Sequence, residues 1–132
     1  MKQRYFDLAR NVSTLSDFQR IHIGCVVLYK GKVIGSGYNC CKSHPLQRRY
    51  NRERFSEDST PHSMHAELHA LCGLRGGASV DWNKVILYVY RQRRDGSLGC
   101  ARPCKSCLKL IKDMGIHHIC YTTDDGYAEE VI

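Results

Sequence analysis

The sequence predicts an α/β/α sandwich, in which a mixed sheet of four to five strands is covered by helices on both faces. The order of apolar patterns is the first reason: after an initial helical segment and a hairpin, helix-like and strand-like segments alternate along the chain. Size is the second. The chain has 132 residues, 42% of them hydrophobic. We therefore expect one domain over residues 1–132 with one hydrophobic core.

The first part of the chain predicts a helix followed by a hairpin. Residues 2–15 carry apolar side chains at helical spacing. The apolar runs Ile23–Tyr29 and Val33–Ile34 meet across a turn at Lys30-Gly31-Lys32, as in a β-hairpin. Residues 39–62 are polar and predict a long loop, of a length usually found in functional or disordered segments.

The second part of the chain predicts alternating helices and strands. Met64–Leu74 indicates a helix, and the both-sided apolar run Val85–Tyr90 indicates a buried strand. Cys104–Met114 predicts another helix, and the sequence HHICYTT predicts the next strand. We expect a short helix after Gly126, and a chain that stops before a well-formed fifth strand.

The charge distribution suggests a face that meets phosphate. The formal net charge is +7. Between Lys42 and Arg54 there are five basic residues and one acidic residue, and a second basic cluster, RQRR, covers Arg91–Arg94. Such asymmetry favours a nucleotide or a single-stranded nucleic acid as partner. A solvated surface is the alternative interpretation of either cluster.

Composition also bears on the cellular compartment. The first residues, MKQRYFDLARNVS, hold no continuous apolar run, and no window approaches the roughly 18 apolar residues of a membrane span. We expect a cytoplasmic protein without a membrane partner. Eight cysteines would allow disulfides, but without an export signal we expect reduced thiols, some of them metal ligands.

The segment RPCKSC places two cysteines at the start of a predicted helix. Cys104 and Cys107 are three residues apart, a spacing that points both sulfurs at one zinc ion. Pro103 fits the first turn, where no N–H donor is needed, and the helix N-terminus favours thiolates. Taken alone, this CxxC could equally be a redox pair or half of a structural zinc site.

The segment MHAEL supplies the missing donor. His65 opens one predicted helix and Cys104 the next, and in an α/β sandwich such strand-to-helix turns lie side by side. Three converging protein ligands leave a fourth tetrahedral position for a water, whose pKa zinc lowers towards neutrality. Glu67 is too close to His65 to be an easy co-ligand, so we expect it to carry protons as general acid and base.

An HxE segment followed by PCxxC is the motif pair of zinc nucleobase deaminases. Over nearly its whole length the chain resembles the cytidine and deoxycytidylate deaminase superfamily, most closely the deoxycytidylate branch. The resemblance rests on YFDLARNVS…IHIGCVVLYKGKVIGSGYN, MHAELHAL and PCKSCLKLIKDMGIHHICYTTDDGY. It implies Zn²⁺ on His65, Cys104 and Cys107, proton transfer by Glu67, and subunit contacts of a homo-oligomer.

The resemblance also implies a substrate site. Asn39, in GSGYN, matches an asparagine that touches the substrate's sugar or phosphate. Ala66 is read as a small spacer where zinc and base approach, and Tyr121 as a residue that could stack on the base. The implied reaction converts cytosine to uracil with release of ammonia, on a nucleotide such as dCMP. The segment RQRRDGSLGCA is an insertion relative to the family's usual pattern.

Other interpretations stay open from sequence alone. Cytosine in single-stranded DNA or RNA is an alternative substrate that the basic charge favours. A non-catalytic zinc or nucleic-acid-binding module would instead close the site with a fourth Cys or His. His65 and His69 could bind zinc from one helix face. A second zinc site could use some of the loop cysteines Cys40, Cys41 and Cys100.

Overall fold

The structure is a computed structural model that describes residues 2–17, 21–40, 45, 49, 64–74 and 79–132. The strands within these residues are β1 Ile21–Tyr29, β2 Lys32–Tyr38, β3 Val85–Arg93, β4 His118–Thr122 and β5 Tyr127–Val131. They form a five-stranded sheet in the order β2-β1-β3-β4-β5. β3 and β4 run parallel, and the other neighbouring pairs run antiparallel. The predicted mixed sheet is confirmed.

Helices cover both faces of this sheet, as the sandwich prediction requires. The main helices of the described residues are α1 Gln3–Ser13, α2 Ala66–Cys72 and α3 Lys105–Met114. α1 packs through Phe6 and Ala9 against Tyr88 and neighbouring residues on one face. α2 and α3 pack with Leu87 and other core residues on the opposite face. β3 is apolar on both sides because helices bury both.

The lengths of the helices also bear on the prediction that the chain has no membrane-spanning helix. Within the described part of the chain, no helix is both long and apolar enough to cross a bilayer. Most of the predicted polar loop, including nearly all of the basic cluster between residues 42 and 54, lies outside the described residues.

The hairpin is tighter than predicted. Lys30 and Gly31 alone form its turn, with φ of 49° and 78°, and Lys32 already begins β2. Two successive positive φ values match the twist of the flanking strands, as in a type I′ turn. α2 and α3 each begin one or two residues after the predicted start, because His65 and Cys104 occupy the N-cap positions.

The end of the chain corrects a prediction. After Gly126 the chain forms β5, antiparallel to β4, so the expected short helix and the expected lack of a fifth strand were both wrong. Glu129 and Glu130 fit an edge strand because each has a partner on a neighbouring element. His118 pairs with Glu129 at 2.7 Å, and Arg102 pairs with Glu130 at 2.9 Å.

Candidate functional site

Two helix N-termini meet at one edge of the sheet. β1 runs antiparallel to both β2 and β3, so β2 and β3 point the same way. The helices that follow them, α2 and α3, therefore begin at the same edge. His65 is the N-cap of α2 and Cys104 the N-cap of α3, both with extended backbone. Neither side chain caps its own helix, so both can turn towards a shared centre.

Backbone pairing fixes the segments that carry these two side chains. Cys40 and Met64 exchange N–H···O bonds of 3.1 and 3.0 Å, which anchors the residue before His65 to the end of the hairpin. The Ala101 N–H donates to the Thr122 carbonyl at 2.8 Å, which anchors the segment before Cys104 to β4. Both helix starts are thus tied to the sheet.

The three sequence-predicted ligands converge. Nδ1 of His65 lies 3.2 Å from Sγ of Cys107 and 3.5 Å from Sγ of Cys104. In a tetrahedral zinc site with bonds of 2.0–2.3 Å, ligand atoms stand about 3.6 Å apart. One imidazole and two sulfurs are also the donors that zinc prefers over oxygen-binding cations. Donor chemistry and spacing together fit a zinc ion.

The pKa values of the Cys104 and Cys107 thiols are shifted in opposite directions. A hydrogen bond from the Cys107 thiol, with further contacts to His65 and Ser106, lowers the pKa of Cys104 to about 3. Donating that bond, together with burial, raises the pKa of Cys107. The metal-free pair therefore holds one thiolate and one thiol. Because zinc binds thiolates, a zinc ion held by these residues would displace the proton of Cys107.

Glu67 lies beside this donor set and is buried, with 5% of its surface exposed. Burial raises the pKa of Glu67, and the nearby charge of His65 offsets part of that rise. A carboxyl whose pKa moves towards neutrality is suited to accept and return protons. Glu67, His65 and Cys104 line one cavity of about 320 Å³, a size within the range of small-molecule sites.

The three residues expected to bind substrate lie in different parts of the structure. Asn39 lines the cavity, and its amide is held by the Ile23 N–H at 2.9 Å and the Ile21 carbonyl at 3.0 Å. Ala66 is fully buried in the core between the sheet and α2. Tyr121 is not among the residues lining this cavity, and its hydroxyl donates to Glu130 at 3.0 Å. The roles of all three stay predictions.

The alternative with two histidine ligands finds no support among the described residues. The Tyr38 N–H donates to Nδ1 of His69 at 3.1 Å, and the two rings pack edge to face. His69 therefore braces α2 against β2, outside the donor set. Cys40 and Cys100 join no group of three described donors, and Cys41 lies outside the described residues.

A second described group also has metal-binding side chains. His118, Cys120 and Glu129 lie together on β4 and β5, where Nε2 of His118 is 2.7 Å from a carboxylate oxygen of Glu129.

Sequence reasoning missed much of the cavity wall. Residues from β1, from the segment before α2, from the insertion and from the position just after it complete the wall: Ile21, Ile23, Met64, Arg91, Cys100, Ala101 and Arg102. The one available signal was the RQRR cluster, which marks positive charge but not the direction of each side chain. Only the path of the insertion brings Arg91 and Cys100 to the same wall.

Solved structures share this fold. The cytidine deaminase from Burkholderia pseudomallei aligns with a TM-score of 0.66 and 14% identity, over 99% of this chain and 92% of that one. The dCMP deaminase from the cyanophage S-TIM5 aligns at 0.64 and 21%, over 93% and 86%. The fold is therefore that of the cytidine and dCMP deaminases.

Sequence comparison gives the family. Residues 1–123 match the cytidine and deoxycytidylate deaminase zinc-binding region. The chain belongs to this family. It is 28% identical to deoxycytidylate deaminase of Mus musculus over 110 residues and 29% identical to that of Homo sapiens over 104 residues. These alignments cover 80% and 76% of this chain but 54% and 51% of the relatives, so the chain spans about half their length.

Proposed function

We propose that the chain is a zinc-dependent hydrolytic deaminase that converts the cytosine of a (deoxy)cytidine nucleotide such as dCMP to uracil and releases ammonia. The observation that carries this proposal is the convergence of His65, Cys104 and Cys107 within 4.8 Å beside a buried Glu67. Family membership and the deoxycytidylate deaminases among the relatives support the same substrate class.

The proposed reaction divides between the metal and Glu67. When bound by the three ligands, zinc would supply Lewis-acid activation of a water. The water oxygen forms the new C4–O bond, and the C4–N bond breaks. Glu67 takes a proton from the water and delivers protons to ring N3 and to the amine, which leaves as ammonia. Water supplies two protons, one retained on N3 and one carried away in ammonia.

The cavity wall would orient the base. Ile21 and Ile23 offer apolar surface, and the amide of Asn39 offers a further N–H beyond the one bonded to Ile21. The amide is held in place by β1, so its rotamer is fixed before any substrate arrives. Enclosure excludes bulk water from the carboxyl of Glu67, which strengthens its hydrogen bonds to the ring.

Replacing Glu67 tests the proposal. We expect Glu67→Gln to lower ammonia release from dCMP by about 10²- to 10⁴-fold, the usual contribution of a positioned acid and base, while zinc content stays near one ion per chain. Glu129→Gln, a matched change of an exposed carboxylate on β5, should keep wild-type activity. Wild-type turnover in Glu67→Gln would sink the proposed mechanism, and loss of zinc would reassign Glu67 to metal binding.

The substrate and the assembly of the chain can be measured on the same protein. dCMP, cytidine and a cytosine-containing oligonucleotide should be compared side by side with the zinc-loaded protein. Turnover of the oligonucleotide alone would overturn the nucleotide assignment. Sedimentation of the purified chain would test the expected homo-oligomer.

A further inference from the structure

The inserted segment RQRRDGSLGCA builds part of the cavity wall. β3 extends into it as far as Arg93, and the chain then turns back along the same strand. Gln92 and Leu98 form an antiparallel bridge, and the Gly99 N–H donates to the Arg91 carbonyl at 3.0 Å. The returning strand places Cys100 on the cavity wall beside Arg91.

Thr122 fixes this return to the sheet. Its hydroxyl donates to the Gly99 carbonyl at 2.7 Å and accepts from the Arg91 N–H at 3.1 Å. Its carbonyl accepts from the Ala101 N–H at 2.8 Å. Thr122 is fully buried, so these bonds are shielded from water. The backbone on both sides of the Arg91 side chain is therefore set before a ligand binds.

The guanidinium of Arg91 is held on two sides and keeps N–H donors that no described residue accepts. Its side chain lies flat on Gly99, where an added Cβ would come within 3.0 Å of Cδ and 3.1 Å of Nε. Its NH1 donates to the Cys100 carbonyl at 3.2 Å. Nε is buried and makes no hydrogen bond with the described part of the chain. Buried donors of a charged group are costly to leave unbonded. Because Arg91 also lines the cavity, its guanidinium is placed to contact a ligand there.

Within the described ranges, the charge of Arg91 also has no ion-pair partner. Arg102, the other cationic arginine on the cavity wall, is bonded through two nitrogens to Glu130, both at 2.9 Å. Among the described residues, Arg91 makes no ion pair, and Glu67 is the one carboxylate on the cavity wall. The wall therefore presents one cation whose charge no described residue offsets.

We propose that Arg91 selects the substrate by binding the phosphate monoester of a free cytosine nucleotide through guanidinium N–H groups that no described residue accepts. A guanidinium binds phosphate oxygens with short charge-assisted hydrogen bonds, and Gly99 and Cys100 hold it in one orientation. The inference rests on the proposed function, because the cytosine would occupy the same cavity. It gives the insertion a role, because the segment that returns along β3 holds one of the RQRR arginines at the cavity wall.

The test is the ratio of kcat/KM for dCMP to that for deoxycytidine, measured on the zinc-loaded full chain. We expect Arg91→Gln to lower this ratio by about 10- to 100-fold, the loss of one charge-assisted contact. Gly99→Ala pushes the Arg91 side chain aside and should lower the ratio less. Arg94→Gln removes an exposed cation of the same segment that does not line the cavity, and should leave the ratio unchanged.

Several outcomes would overturn the assignment. If Arg91→Gln keeps the wild-type ratio, or lowers both substrates equally, Arg91 acts only on structure. A loss confined to oligonucleotide turnover would assign it to a phosphodiester instead. Arg91→Lys keeps the charge without the planar fork and should recover part of the ratio. It serves as the second variant if Arg91→Gln melts at a lower temperature than the wild type.

Failure of the proposed function would be visible separately. If the wild type deaminates none of these substrates, the deaminase proposal fails, and calorimetric binding of dCMP and deoxycytidine then tests Arg91 alone. Preferential binding of dCMP that disappears in Arg91→Gln would support the phosphate contact. Equal binding of both ligands, or binding of neither, would overturn it.

Discussion

Gly37 determines how closely α2, the helix that follows His65, approaches the sheet. An added Cβ at Gly37 would lie 2.3 Å from the Ala70 N and 2.7 Å from the Ala66 carbonyl oxygen, both in the backbone of α2. Backbone atoms cannot rotate out of the way as a side chain can. Restoring even a 3.0 Å contact would move α2 by about 0.7 Å, and His65 begins that helix.

The size of this shift sets the expected effect of Gly37→Ala. Metal sites tolerate roughly ±0.2 Å in ligand distances, so a shift of this size should weaken zinc binding by about 10- to 100-fold. Overpacking at this point should also lower the free energy of unfolding by about 1–3 kcal/mol. For a chain of this size that corresponds to a fall in Tm of roughly 4–12 °C.

A matched control exists on the same helix. Gly73 is the C-cap of α2 with φ −78°, and an added Cβ there meets nothing within 4 Å. Gly73→Ala should therefore leave zinc affinity unchanged. Affinity is measured by competition with a chromophoric chelator, and Tm by calorimetry. If Gly37→Ala and Gly73→Ala bind zinc within twofold of each other, backbone contact at Gly37 does not position His65, and the reasoning fails.

Three further predictions concern stability. Hydrogen bonds from Arg102 and Tyr121 hold the pKa of Glu130 below its usual range. The stability that Glu130 contributes is therefore present above about pH 4.3 and is lost as the pH falls further. Glu130→Gln should lower Tm at pH 7, and its difference from the wild type should close near pH 3 in a series of Tm measurements at different pH. Lys30→Asn relieves a positive φ and should raise the free energy of unfolding in urea by a few tenths to about 1 kcal/mol. Chelation should lower Tm, zinc but not magnesium should restore it, and His65→Ala should show no further drop.

The convergence of His65, Cys104 and Cys107 could be predicted from sequence because it follows from local rules. His65 and Cys104 both stand at the start of a helix that follows a strand, and strand direction brings such starts to one edge. Cys107 follows Cys104 by one helical turn. No distant contact has to be known to bring these three donors together. The structure places them within 4.8 Å of one another, while their binding of zinc awaits measurement.

β5 and the role of Arg91 could not be predicted because they depend on partners distant in sequence. Two adjacent glutamates suit a helix as well as a strand in local pattern, and the backbone pairing of Tyr127–Val131 with β4 forms the edge strand. The RQRR sequence likewise does not show towards which part of the structure each arginine side chain points. Arg91 lines the cavity while Arg93 pairs with Asp124 on the surface, a difference that depends on the path of the return strand.

The contact between Gly37 and α2 makes the position of this helix depend on different atoms from those that stabilise it. The height of the helix above β2 is set by main-chain atoms, whereas its stability comes from buried side chains such as Leu68 and Leu71. Core side chains can therefore be exchanged for others of similar volume without moving His65 relative to the cysteines. For engineering, we expect that core substitutions can change the thermal stability while the positions of His65, Cys104 and Cys107 stay the same.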